Sequence, residues 1–213
     1  MKTLSIVFIA TFLILTSANG FSQKLKSGDI KVLKGEKMIN LAYDYGKMAV
    51  GKFATEAEYL KKGIDDRNAK EPGSGDAWAS KWNEGKTEKF QPAFEEDFNK
   101  QAEDCGLAGK SDPSAKYTLL LHVTFVEQGV ETVVMGTAKS ASVDMLIDLV
   151  ETSAPDKVIA TIEVDGIKPK STPKMSVGGV SVSKTAYDPT LRIAECFESA
   201  GKQIGKLICK NLK

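Results

Sequence analysis

The chain has 213 residues, 42% of them hydrophobic, with 29 Lys and Arg against 28 Asp and Glu and a single histidine. That balance offers no cationic excess for neutralising phosphates, so nucleic-acid binding has no electrostatic footing. One histidine cannot supply a common zinc-hydrolase ligand set by itself.

The N-terminus carries Lys2, an apolar run from Leu4 to Leu15 and then "TSANG", with small residues at Ala18 and Gly20. Charge, short apolar stretch and small-residue site, in that order, mark a secretory signal peptide. The run falls short of the roughly 20 residues that a membrane-spanning helix needs. Residues 1–20 are therefore expected to be cleaved near Gly20, leaving 21–213 as a single secreted or periplasmic domain. Cleavage removes Lys2 and no acidic residue, so the mature chain carries 28 charges of each sign.

"KMINLAYDY" alternates as a strand, with Ile39, Leu41, Tyr43 and Tyr45 on one side and Met38, Asn40, Ala42 and Asp44 on the other. In "TEAEYLKKGIDDRNAK", Thr55 followed three residues later by Glu58 forms a reciprocal cap at a helix start, and "EPGSG" ends that helix. Trp78 and Trp82, four apart, share a helix face; this is the spacing of core packing, with ligand stacking as the alternative. A further helix is predicted from Pro92 to Asp104. Along it Phe90, Phe94 and Phe98 form the packing stripe, and Glu95, Glu96, Asp97, Lys100 and Glu103 face water.

The middle of the chain reads as three strands. "YTLLLHVTFV" puts Tyr117, Leu119, Leu121, Val123 and Phe125 on one side, "SVDMLIDLV" does so with Val143, Met145, Ile147 and Leu149, and "VIATIEV" with Val158, Ala160, Ile162 and Val164. Ala154–Lys157 is a proline-bearing turn between the last two. Short connections favour an antiparallel meander with one apolar face. After "KPKSTPKMSVGGVSVSKTAYDP", a polar excursion with a candidate hairpin around Gly178 and Gly179, Asp188 and Pro189 open a long amphipathic helix. Its dry side carries Ala194, Phe197, Gly201, Ile204, Ile208 and Leu212. Gly201 and Gly205 on it imply a close approach, first to the sheet and otherwise to a second copy. The fold class is α+β: a two-layer sandwich of a mainly antiparallel sheet, the three-stranded meander plus an N-terminal strand, with helices on one face.

Three cysteines are present. Cys196 and Cys209 on one straight helix would stand roughly 20 Å apart, whereas a disulfide needs Cα atoms within about 7 Å. Either Cys105 bridges to one of them, closing a loop near 100 residues, or all three are buried thiols.

His122 alternates onto the polar side of its strand with Thr118 and Thr124. The same face of the next strand carries Asp144 and Asp148, and Glu163 follows on the third. A hairpin turning near Val133 would set His122 across from Asp144, the beginning of a general base or a metal site. A solvated sheet face is the plainer reading, and no catalytic, cofactor or metal residues are assigned. His122, Asp144, Asp148 and Glu163 are the candidates should the protein be a hydrolase, for instance a carboxylate-based glycoside hydrolase. No G-x-S-x-G, phosphate loop or dinucleotide fingerprint occurs.

The succession "YTLLLHVTFVEQG", "SASVDMLIDLVE", "KVIATIEVDG" and "DPTLRIAECFESAGKQIGKLICK" resembles exported Gram-negative envelope proteins related to the small α/β domain of curli-secretion and Tol-type periplasmic proteins. The resemblance covers Lys116 to Lys213 and rests on pattern, so no site residue is carried over. It implies a helix-backed sheet that binds or assembles with an envelope protein or glycan. No cysteine follows the apolar leader, unlike the lipid-anchored members of such families.

Overall fold

In the computed structural model, residues 22–131, 138–170, 174–177, 180–183 and 188–213 are described. The leader, the expected turn near Val133 and the Gly178–Gly179 turn lie outside them.

The strands are β1 (Ser22–Gly28), β2 (Met38–Asp44), β3 (Ala49–Val50), β4 (Ala108–Lys110), β5 (Tyr117–Glu127), β6 (Val130–Glu131), β7 (Ala138–Lys139), β8 (Ser142–Glu151), β9 (Ala154–Ile167), β10 (Lys174–Val177) and β11 (Val180–Ser183). The helices are α1 (Glu56–Asn68), α2 (Ser74–Gly85), α3 (Gln91–Ala102) and α4 (Pro189–Leu212), with a π-helical segment, Lys86–Phe90, joining α2 to α3. The fold is α+β: a mixed open sheet in the order β1-β9-β8-β5-β2-β4, with helices packed alongside. The predicted meander is β5, β8 and β9, antiparallel throughout, and β1 adds antiparallel to β9. β2 joins β5 in parallel, because α1, α2 and α3 lie between them and a parallel pair requires such a crossover. β3 continues that edge, pairing Ala49 with Phe125. The hairpin expected around Gly178 and Gly179 is the β10–β11 pair.

One side of the sheet is dry. Leu41, Leu119, Leu121, Val123, Val143, Met145, Ile147, Leu149, Ala160, Ile162 and Val164 are buried in one cluster with Phe90, Phe94, Phe98, Phe197, Ile204 and Ile208 from the helices. Each of these side chains larger than alanine contributes roughly 1.5–3 kcal/mol before chain entropy is subtracted. Three details of the strands differ from expectation. The register slips between Val123 and Phe125, so Val126 takes the core position and Phe125 turns half outward. Slips around Val150 leave Val158 52% exposed instead of in the core. The turn is Thr152–Ser153, two residues before the predicted Ala154–Lys157. Pro155 is tolerated inside β9 because β1 pairs with β9 only from Ala160 onward, leaving that edge without a partner that needs its N–H.

The helix signals hold locally. Thr55 accepts from the Glu58 N–H at 3.2 Å, and the Glu58 carboxylate reaches back to the N–H of Ala54, one residue before the cap. Asp188 caps α4 by accepting from the Thr190 N–H. Trp82, Phe90, Phe94 and Phe98 are buried, while Trp78 is half-buried. Asp97, expected in water, is only 9% exposed, because the α3 face that carries it lies against α4 beside Glu198. Gly201 and Gly205 do allow close approach, but to the backbone of α3 and not to the sheet or a second copy. Cys105 bonds to Cys209 with Cα atoms 5.3 Å apart, closing a 104-residue separation, and Cys196 is a buried free thiol.

Candidate functional site

The polar face of the sheet places the lone histidine at the centre of a row of polar side chains, hydrogen-bonded to Asp44 and close to Asp148. Parallel pairing sets Asp44 of β2 level with His122 of β5, and their Oδ2 and Nδ1 atoms lie 2.8 Å apart. On the other side, His122 stands opposite Leu146 of β8, so its diagonal neighbour is Asp148, with Oδ2 3.6 Å from Nε2. The row continues at both ends. Asp44 Oδ1 accepts from the Gly46 N–H at 2.8 Å, and Thr161 of β9 donates to Asp148 Oδ1 at 2.6 Å. Four strands are thus joined through polar side chains, among the half-buried Leu120, Leu146 and Ile159.

The Gly46 N–H first, and the His122 hydrogen bond second, hold the Asp44 carboxyl below its ordinary value. Asp44 is 43% exposed and Asp148 16%, so the row is wetter toward β2 than toward β8.

His122 and Asp144 do not meet. The slip at Thr124 sets Asp144 against Phe125, and its carboxylate accepts from the Gly166 N–H at 2.6 Å. Burial raises the Asp144 carboxyl, partly offset by that bond. Glu163 lies farther along, paired with Lys24 at 2.8 Å and Lys26 at 2.9 Å. A register slip between Leu25 and Ser27 brings both lysines onto its side. Of the four sequence candidates, only His122 and Asp148 are brought together. Asp44 and Thr161 were missed, although Asp44 already stood on the outward side of its strand. Their proximity to the histidine and to Asp148 depends on strand order and register.

Chemically, the row can hold and exchange protons but lacks further parts. A Ser-His-Asp arrangement needs an acceptor at one ring nitrogen and a hydroxyl at the other. Here each ring nitrogen faces a carboxylate, and Thr161 is bonded to the far oxygen of Asp148. The two carboxylates sit at opposite ends of the ring, so they cannot converge with one ring nitrogen on a single ion; among the described residues no group of three ligands is placed to hold a metal. None of the described helices is long and apolar enough to cross a membrane.

No protein-family model matches this sequence, and comparison with curated proteins gives no match.

Proposed function

We propose that the chain is an exported protein of the cell envelope that acts by binding another envelope component, protein or glycan, and not by turnover. The observation that carries this reading is the position of His122. With a carboxylate at each ring nitrogen and, among the described residues, no hydroxyl bonded to the ring, the polar face is organised as a cross-strand clasp. Separation of Asp144 and Glu163 from that ring also weighs against the hydrolase alternative. Export is supported by the Cys105–Cys209 bond, since disulfides persist in oxidising compartments, and by the charge pattern of residues 1–20.

Fractionation of a Gram-negative host expressing the full chain tests the reading. The expected product starts near Phe21, lies outside the cytoplasm and crosslinks in intact cells to one envelope component. Cytoplasmic retention of the uncleaved chain overturns export. A hydrolytic activity that disappears in His122→Ala while the fold persists overturns the binding role.

A further inference from the structure

The only two tryptophans of the chain, Trp78 and Trp82, line one cleft. It has a volume of about 360 Å3 and lies between α2, the π-helical segment and the start of α4. That is enough for a small ring compound and sits at the lower end of ligand-pocket sizes. π-helical turns are rare and occur often at functional sites. Here the wider turn carries Glu88 and Lys89 into the cleft wall.

The walls are held in place before any ligand arrives. Gly63 lies under the Trp78 ring, where a Cβ would come within 2.3 Å of the indole, and the Arg67 guanidinium stands 4.1 Å from the ring centroid. Trp82 is buried, with its Nε1–H donating to Glu56. Lys89 donates to Asp188 at 2.9 Å and to Thr190 at 2.7 Å. Lys81 and Glu88 are different: both are exposed, and neither has a hydrogen-bond or ion-pair partner among the described residues. One spare donor group and one spare acceptor group therefore flank a fixed aromatic wall, which lowers the ordering cost of binding.

Charge narrows the ligand class. Lys81 and Lys89 are set against Glu84, Glu88 and Asp188. An anion would meet three carboxylates, and the Thr190 N–H at the start of α4 is already taken by Asp188. A cation would meet two ammonium groups. A neutral ring with C–H faces for the indole and hydroxyls for both kinds of partner fits without an unpaired charge.

We infer that this cleft binds one or two units of a neutral saccharide, packed on Trp78 and hydrogen-bonded by Lys81 and Glu88. The assignment deepens the envelope-binding reading and rests on it for where such a glycan is met.

Because both tryptophans line the cleft, emission of the oxidised full chain reports on it directly. Chitotriose, maltotriose, choline and inorganic phosphate are titrated separately to about 20 mM, well past millimolar affinities. The expected result is a saturable emission change with at least one trisaccharide and none with choline or phosphate. Lys81→Ala and Glu88→Ala, exposed positions that leave the core intact, each weaken binding about tenfold, the loss of roughly 1.4 kcal/mol expected of one hydrogen bond to a charged group. No saturable change with either sugar, a response to choline or phosphate instead, or sugar binding unchanged in both variants overturns the assignment. Failure here leaves the fractionation and crosslinking result standing, and failure there leaves the titration standing, so the two readings fall separately.

Discussion

Gly201 of α4 lies against the peptide carbonyl of Phe94 on α3: a Cβ built on Gly201 would come within 2.2 Å of that oxygen. One turn later, a Cβ on Gly205 would meet the Phe98 carbonyl oxygen at 2.7 Å. Backbone atoms of a packed helix cannot move aside as a side-chain end can. Gly201→Ala is therefore expected to destabilise the fold by about 1–3 kcal/mol through overpacking, although alanine gains about 1 kcal/mol in helix propensity. Urea unfolding measures it; a rise in midpoint would contradict the close contact between the two helices.

The His122 clasp makes a separate prediction. His122→Ala removes the hydrogen bond to Asp44 and leaves Asp44 and Asp148 without their shared partner. The loss should be near 1 kcal/mol, below the roughly 1.5–3 kcal/mol of a hydrogen bond to a charged group, because the ring and Asp44 are partly exposed. Asp44 has a depressed carboxyl, so its contribution is present above the ordinary Asp range and is lost as pH falls through the folded value. Carboxyl NMR of His122→Ala should show Asp44 moving part of the way back up, since the Gly46 N–H, the larger cause, is still there. An unmoved Asp44 would mean that the imidazole does not hold it.

Glu198 works in the opposite sense. Burial, followed by its hydrogen bond to Asp97 and the Asp97 charge, raises the Glu198 carboxyl, with Lys170 and Lys100 pulling weakly the other way. A raised folded value means that the favourable contribution is full below the ordinary Glu range and is lost as pH rises through the folded value. Thermal melts across that window should show the wild type losing stability relative to Glu198→Gln as pH rises. Parallel curves for the two proteins would remove the Asp97–Glu198 pair as the cause.

Thiol counting checks the covalent frame. Without reductant, the native chain should release no colour with a thiol reagent, because Cys196 is buried and burial raises its thiol, and only the thiolate reacts. Denaturant alone should expose one thiol, and denaturant with reductant all three. Replacing Cys105 and Cys209 by serine should lower stability by about 4–5 kcal/mol on the loop-entropy account of a 104-residue closure. Three reactive thiols in denaturant without reductant would refute the bond.

Much of this fold could be read locally. The alternation in β5 and β8, the Asp188–Pro189 start of α4 and its apolar stripe are imprints of one-sided burial, and each is complete within a short window of sequence. Cysteine spacing likewise showed that Cys196 could not reach Cys209 along one helix. The sequence by itself determined these elements and their dry faces. Tertiary structure alone decided which elements are neighbours: β2 beside β5, α3 beneath Gly201, and a π-helical turn, Lys86–Phe90, joining the helix of Trp78 and Trp82 to that of Phe94 and Phe98. It also decided register. One unpaired residue at Thr124 exchanges Phe125 for Val126 in the core and carries Asp144 away from His122, while a parallel strand from more than 70 residues earlier supplies Asp44 in its place. Side-chain period follows from backbone geometry and is local; strand order and slippage are set by packing between segments far apart in the chain, and the sequence carries no short-range mark of either.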